Sequence, residues 1–266
     1  RGLAAAMGLY VAGNSLGGVG GRLVTSGLGD LVSWRWAVAG LALVALVAAV
    51  AAWWLMPEPL PARPERKADG AGFARLLRDP AVWAVLTVPF VLMGGFVATF
   101  NYLTYRLVGP PFGLPAAVAG LVFLTYLSGS ASSATAGSFA GRVGRGPVLI
   151  GALAVMGLGL ALTWPDRVDT VVVGLVLFTA GFFAAHAVAS GWAPVVGAVS
   201  PSRASGLYVA AYYAGSSVLG SLTGLAWDGA GWPGVAATVG GLVVTAAVAA
   251  TYVWRVSARA CSAARP

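Results

Sequence analysis

Charge is what this sequence has least of. Only 9% of its 266 residues are Asp, Glu, Lys or Arg, where an ordinary soluble domain carries roughly 25%. Together with 59% hydrophobic residues, that scarcity excludes a water-soluble fold. Apolar runs of about 20 residues recur between short polar breaks, each long enough to cross a hydrocarbon core roughly 30 Å thick as a helix. The single cysteine, Cys261, allows no internal disulfide, and one cysteine with one histidine is too small a set of soft ligands for a structural zinc site. No metal, redox group or other cofactor is expected. The composition describes an all-α, polytopic transmembrane helical bundle.

Hydropathy places eight candidate spans at about residues 3–26, 36–56, 81–103, 115–137, 147–164, 171–194, 206–227 and 234–254. The net charge of +8 would point to nucleic acid in a soluble chain, so the location of the basic residues matters. Numbering the connections alternately puts Arg1, Arg63, Arg66, Lys67, Arg75, Arg78, Arg142, Arg145, Arg203, Arg255, Arg259 and Arg265 on one side, against Arg22, Arg35, Arg106 and Arg167 on the other. This is the positive-inside pattern, which makes the basic excess topogenic and predicts both ends of the chain to be cytoplasmic. No nucleic-acid partner is expected; the partner is the lipid bilayer. The stretch 57–80, rich in proline and charge, is the long polar connection, with Phe73, Leu76 and Leu77 beside Arg75 and Arg78 marking a short interfacial helix.

Sliding the sequence on itself by about 200 residues superposes the first two spans on the last two. Arg1 falls on Arg203, Tyr10 on Tyr212, Gly13 on Gly215, Asn14 on Ser216, Ser15 on Ser217 and Gly18 on Gly220; with a slightly shorter offset Asp30 falls on Asp228 and Trp34 on Trp232. Two hairpins running in the same direction imply two equivalent bundles. The second holds six helices with its copy at helices five and six, so the first is expected to hold six as well. A chain that opens on Arg1 is then expected to lack about four N-terminal helices of an inferred twelve. The resulting division is 1–56, the last two helices of an N-terminal half; 57–80, a central cytoplasmic loop; 81–254, a six-helix C-terminal half; and 255–266, a cytoplasmic tail. Two six-helix halves related by an axis along the membrane normal form the architecture of the major facilitator superfamily.

The segments MGLYVAGNSLGGVGGRL, SWRWA, FNYLTYRL, GFFAAHAVASGW and LYVAAYYAGSSVLGSLTG resemble the YnfM-like bacterial branch of that superfamily, and the resemblance covers essentially the whole chain. It implies a multi-pass protein of the bacterial plasma (inner) membrane and a secondary transporter, a proton-coupled exporter of a small molecule rather than an enzyme. The loop Gly141, Arg142, Gly144, Arg145 is similar to the basic, glycine-containing motif that the superfamily places between helices two and three of each half, although its aspartate is missing. Span one resembles the glycine-rich antiporter motif of helix five, with Gly18 where that motif has proline.

Gly13-Asn14-Ser15-Leu16-Gly17 matches G-x-S-x-G, but a nucleophile elbow needs a strand, a tight turn and His and Asp partners, and an apolar helix supplies none of them. Small residues at four-residue spacing, Gly13, Gly17 and Gly21, and Gly220 with Gly224, fit close helix packing instead. All eight carboxylates fall in or beside loops. His186 is therefore the one side chain within a span suited to titrate near neutral pH, and an ionisable group there is a functional candidate, with a hydrogen bond to a neighbouring helix as the alternative. Asn101, ending span three beside Tyr102 and Tyr105, is costly in lipid; the group is read as cavity lining, with interfacial anchoring as the alternative. Tyr10 and Asn14, and their repeats Tyr212 and Ser216, each share one helix face and are read as opposite walls of the same cavity. Trp34, Trp36, Trp53, Trp54, Trp83, Trp227, Trp232 and Trp254 cluster at span ends and are read as interfacial anchors. The expected function is alternating-access efflux of a small molecule with protons as coupling partner; the other reading is a non-transporting remnant or assembly partner.

Overall fold

The computed structural model describes residues 17–18, 20–21, 24–25, 33–55 and 70–263. Tyr10, Gly13 and Asn14 lie outside the described residues, and span 3–26 largely does. Among those described, the chain is helical: α1 Trp34–Leu55, α2 Gly70–Arg78, α3 Pro80–Val108, α4 Ala116–Gly120 with a 3₁₀ turn at Leu121–Thr125, α5 Tyr126–Val143, α6 Arg145–Leu162, α7 Val168–Val196 and α8 Pro201–Ala263. The chain divides into two compact units, residues 1–69 with 114–124, and residues 70–113 with 125–266.

In the first unit, α1 is apolar along nearly its whole length, from Trp36 to Leu55, the composition of a membrane span. Arg35 lies over the Trp34 ring, 4.8 Å from its centroid, placing charge and aromatic together where the helix begins. A Cβ on the helical Gly21 would be in ordinary van der Waals contact with Leu41, whereas one on Gly17 would meet open space.

The second unit is a bundle organised around α3. Pro80 occupies the first helical position and Asp79 caps it, accepting a hydrogen bond from the Ala81 amide at 2.8 Å, so two of the orphan donors at the helix start are absent or satisfied. α8 is too long for one crossing: 63 helical residues would reach far beyond a roughly 30 Å core. It is broken at Gly231, whose φ of 61° and ψ of −143° lie in a region open to glycine alone. The two arms, 201–230 and 232–263, flank α3. Gly94 abuts Gly215 and Leu219 of the first arm, and Gly95 abuts Val239 and Leu242 of the second. At Gly215 the first arm comes so close to the Phe90 backbone that no side chain fits there. α7 packs on α6 and α5. The α6–α7 seam is a backbone contact, since a Cβ on Gly159 would stand 2.6 Å from the Gly174 carbonyl oxygen and one on Gly174 would stand 2.6 Å from that of Gly159. Such approaches let dispersion replace the hydrophobic drive that lipid removes.

Polar side chains within the helices are satisfied locally. Thr99, Thr104, Thr223, Thr245 and Thr251 each donate to the carbonyl four residues earlier, and Ser132 bridges to the Ala180 carbonyl of α7 at 2.8 Å, as an apolar solvent requires. The short helix α2 buries Leu76 against Gly197 and sets Phe73 under the Arg203 guanidinium, while Trp83 donates to the Leu77 carbonyl at 2.7 Å.

One expected anchor is a core residue. Trp232 is 4% exposed and its indole donates to the Thr163 carbonyl at 3.1 Å, because the reversal at Gly231 folds it inward. The same carbonyl receives Arg106, itself only 6% exposed, whose guanidinium also donates to the Trp164 and Pro165 carbonyls at 2.9 and 3.3 Å and to Asp166 Oδ1 at 2.6 Å. Phe112 and Trp232 lie against its cationic carbon, each with a ring centroid at 5.3 Å. A cation at the C-terminal end of α6 meets the free carbonyls and the negative end of the helix dipole.

Candidate functional site

An aromatic network runs through α3, α5, α7 and α8. Phe96 of α3 is its hub, with ring centroids 4.0 Å from Phe182, 4.9 Å from Phe100 and 5.3 Å from Tyr126. Tyr126 in turn meets Phe183 at 6.0 Å. The periodicity of α7 carries the network toward the chain's single histidine: Phe182 and His186 are four residues apart, their rings parallel to within 7° and 6.0 Å apart. His186 is half-buried. Its Nδ1 lies 3.0 Å from the hydroxyl of Tyr208, a residue 2% exposed, and its ring lies 4.8 Å from that of Tyr212.

Tyr208, Tyr212 and Ser216 follow at four-residue intervals on α8, so one face of that helix presents two phenols and a hydroxyl in line. The structure thus brings His186 and Tyr212 together, with half-buried Ser216 one turn beyond Tyr212. Asn101 stands apart: it is exposed on α3, and among the described residues no hydrogen bond or ring contact joins it to His186. Its neighbours Tyr102 and Tyr105 form a separate group with Trp227, at 5.8 and 6.3 Å. Gly220 and Gly224 leave room for α3, where a Cβ would come 3.1 Å from Val97 Cγ1 and 2.8 Å from the Tyr102 hydroxyl respectively.

Gly141, Arg142, Gly144 and Arg145 are all exposed at the α5–α6 junction. Gly144, at φ 97°, closes α5 by donating to the Ala140 carbonyl at 3.0 Å and starts α6 directly, a turn that only glycine makes without strain. The next glycine, Gly146, lies beneath the Trp254 ring with no space for a side chain.

Among the described residues no group of three His, Cys, Asp or Glu is arranged to hold a metal. The carboxylates whose partners are seen have structural tasks. Asp79 caps α3, Asp166 pairs with Arg106, and the exposed Asp169 is held down to about 2 by the Arg167 guanidinium 2.7 Å away, aided by the Thr170 amide. The ion pair thus favours the charged form of the Asp169 carboxyl.

Sequence reasoning did not single out Tyr208 or the burial of Arg106. The first was signalled by the i, i+4 spacing to Tyr212; the second had no local signal, because its partners lie 57 to 60 residues away.

Comparison with known proteins agrees with this architecture. The family model described as Major Facilitator Superfamily matches residues 1–193. The chain is 40% identical over 256 residues to the "Inner membrane transport protein YnfM" of Escherichia coli (strain K12), covering 95% of this chain and 61% of that protein. It is 35% identical over 236 residues to the "Uncharacterized MFS-type transporter YybF" of Bacillus subtilis (strain 168), covering 88% of this chain and 58% of that protein. It therefore spans about three fifths of the length of these curated relatives. Among solved structures, the transporter FucP crystallised in the outward conformation shares the fold, with a TM-score of 0.59, 16% identity, and coverage of 85% of this chain and 55% of that one. A bundle of membrane-length helices, a matching family model over most of the chain and relatives covering nearly all of it lead to one assignment: the chain belongs to the Major Facilitator Superfamily.

Proposed function

We propose that this chain is part of a secondary active transporter of the bacterial inner membrane, which exports a small molecule by alternating access in exchange for protons. The observation that carries the reading is the conjunction of family membership with a histidine inside a membrane helix, flanked by Tyr208 and Tyr212. A titratable group within a membrane helix is costly, and such groups mark substrate or ion pathways. In this reading His186, Tyr212, Ser216 and Asn101 line the C-terminal side of the substrate path, with Tyr10 and Asn14 as their counterparts on the other half. The many aromatic rings favour a substrate with an apolar body. The Gly141, Arg142, Gly144, Arg145 turn lies at the cytoplasmic surface, where its exposed guanidiniums engage the other half as the two rock.

The test is an efflux assay on the complete gene with a panel of amphipathic compounds, with and without a protonophore. Export that collapses with the protonophore, and that His186→Gln reduces by at least about tenfold without lowering membrane expression, is the expected result. Equal export by His186→Gln and His186→Leu between about pH 6 and pH 8, the window in which an ordinary histidine titrates, would remove His186 from the pathway.

A further inference from the structure

Tyr208 has no task yet beyond packing, and its hydroxyl makes two contacts at once. The oxygen lies 3.0 Å from His186 Nδ1 and 3.3 Å from the backbone carbonyl oxygen of the same histidine. A phenol carries one proton, and a neutral imidazole carries one on either nitrogen. If Nδ1 were bare, the single phenolic proton would serve only one of the two acceptors. Both contacts become hydrogen bonds together when Nδ1 holds the proton: Nδ1–H donates to the Tyr208 oxygen, and the Tyr208 hydroxyl donates to the carbonyl.

The other ring nitrogen is then the bare one. Among the described residues Nε2 makes no hydrogen bond, and no buried side-chain nitrogen or oxygen lacks a partner. Nε2 must therefore reach accessible space. The groups around the ring are Phe182 of its own helix and Tyr208 and Tyr212 of α8, backed by Phe96 of α3, Tyr126 of α5 and Tyr213 of α8. These are phenyl rings and phenols, and among the described residues no ion pair or cation–ring contact involves the imidazole.

We infer that Tyr208 is a positioning residue: it holds the proton of neutral His186 on Nδ1 and presents the Nε2 lone pair as the site of proton uptake. Uptake makes the Nε2–H bond and the imidazolium, while Nδ1–H stays bonded to Tyr208. The ring thus gains and loses a proton without breaking its anchor, a division of labour between the two nitrogens that a hydrogen-bonded histidine permits. The inference rests on the transport reading for its purpose and on geometry for the tautomer.

Nitrogen-15 magnetic resonance tests it in the full-length transporter, labelled at histidine and reconstituted in phosphatidylcholine–phosphatidylglycerol vesicles, with the His186 signals identified by difference from His186→Gln. In the neutral ring Nδ1 is expected in the protonated range and Nε2 in the bare range. As pH falls, Nε2 alone moves into the protonated range. Tyr208→Phe should release the preference, so that protonated Nε2 appears while the ring is still neutral. A bare Nδ1 in the wild type, or an unchanged tautomer in Tyr208→Phe, overturns the assignment, and the wild-type spectrum decides alone if the variant does not fold. Normal proton-driven export by His186→Gln sinks the pathway reading without touching the tautomer, whereas a bare Nδ1 sinks the tautomer without touching export.

Discussion

Arg106→Met removes a guanidinium and keeps most of the side-chain volume. Hydrogen bonds from a charged donor contribute roughly 1.5–3 kcal/mol each before discounting, and Arg106 makes four. Three discounts apply. The Thr163 carbonyl keeps the Trp232 indole at 3.1 Å, the contact to Pro165 is long at 3.3 Å, and the Asp166 side chain is 64% exposed, so water takes over its carboxylate. What remains is the full loss at Trp164 and part of that at Thr163, about 2–4 kcal/mol. By the scaling for chains of this size, that lowers the unfolding midpoint by on the order of 10 °C. Trp232→Phe removes one neutral donor from a carbonyl that Arg106 still serves, about 1 kcal/mol. Arg106→Lys, with a point charge that cannot fork across three carbonyls, falls between the two. The assay is heating of the detergent-solubilised full-length protein with the surviving monodisperse fraction read by gel filtration. The double variant carries the sharper test. With Arg106 gone, the indole is the last donor to the Thr163 carbonyl, so the two losses should exceed their sum by about 0.5 kcal/mol or more. Additive losses, or Arg106→Met melting within about 2 °C of wild type, would refute the clamp.

Gly159→Leu should abolish folded protein because the Gly174 carbonyl of α7 occupies the space, while Gly151→Leu on the same helix, where nothing lies within 4 Å, should express normally. Comparable yields of the two would refute the backbone seam. Asp169→Asn should leave the pH profile of transport unchanged between about pH 5 and pH 8. The Arg167 pair depresses the folded-state carboxyl to about 2, so its contribution is complete above the ordinary carboxylate range and fades only as pH falls toward that value. A shifted profile near neutrality would contradict the assignment. Cys261, beyond the last span among Arg255, Arg259 and Arg265, should react with an impermeant maleimide in inverted vesicles and not in intact cells; labelling from outside would reverse the positive-inside orientation.

The spans that fall on the described residues were legible because a bilayer punishes every unsatisfied backbone group and permits little besides helix. Span 36–56 became Trp34–Leu55, 81–103 became Pro80–Val108, and 206–227 with 234–254 became the two arms of one helix. α3, α5 and α7 ran past the ends of their hydropathy spans, since Pro80 marks the start of α3, and Gly144 and Gly197 the ends of α5 and α7, more sharply than hydropathy does. Of the candidate site, the spacing of Tyr212 and Ser216 was visible as helical periodicity, and Tyr208 lies one turn earlier in the same pattern. That His186 faces Tyr208 across two helices was not, because contact between helices depends on crossing geometry that no local pattern encodes. Trp232 failed as an anchor for the same reason: a tryptophan at a span end looks identical whether a turn points it outward to headgroups or inward to a carbonyl.

The two glycines that seat α3 between the arms of α8 have a consequence for synthesis. Arg106 can reach its first carbonyl partner once Thr163 has been made, but the first arm begins only at Pro201, some ninety residues after α3 ends at Val108. At translation rates of roughly 5–20 residues per second, about 5–20 s pass before the arm that fills Gly94 begins, and longer before the second arm that fills Gly95, with both grooves open to lipid acyl chains meanwhile. Assembly is thus ordered from the Arg106 end of α3 back toward Gly94. A nascent chain stalled before α8 would present those open grooves as its mark of incompleteness, which is what a membrane-embedded protease or insertase surveying unfinished clients has available to recognise.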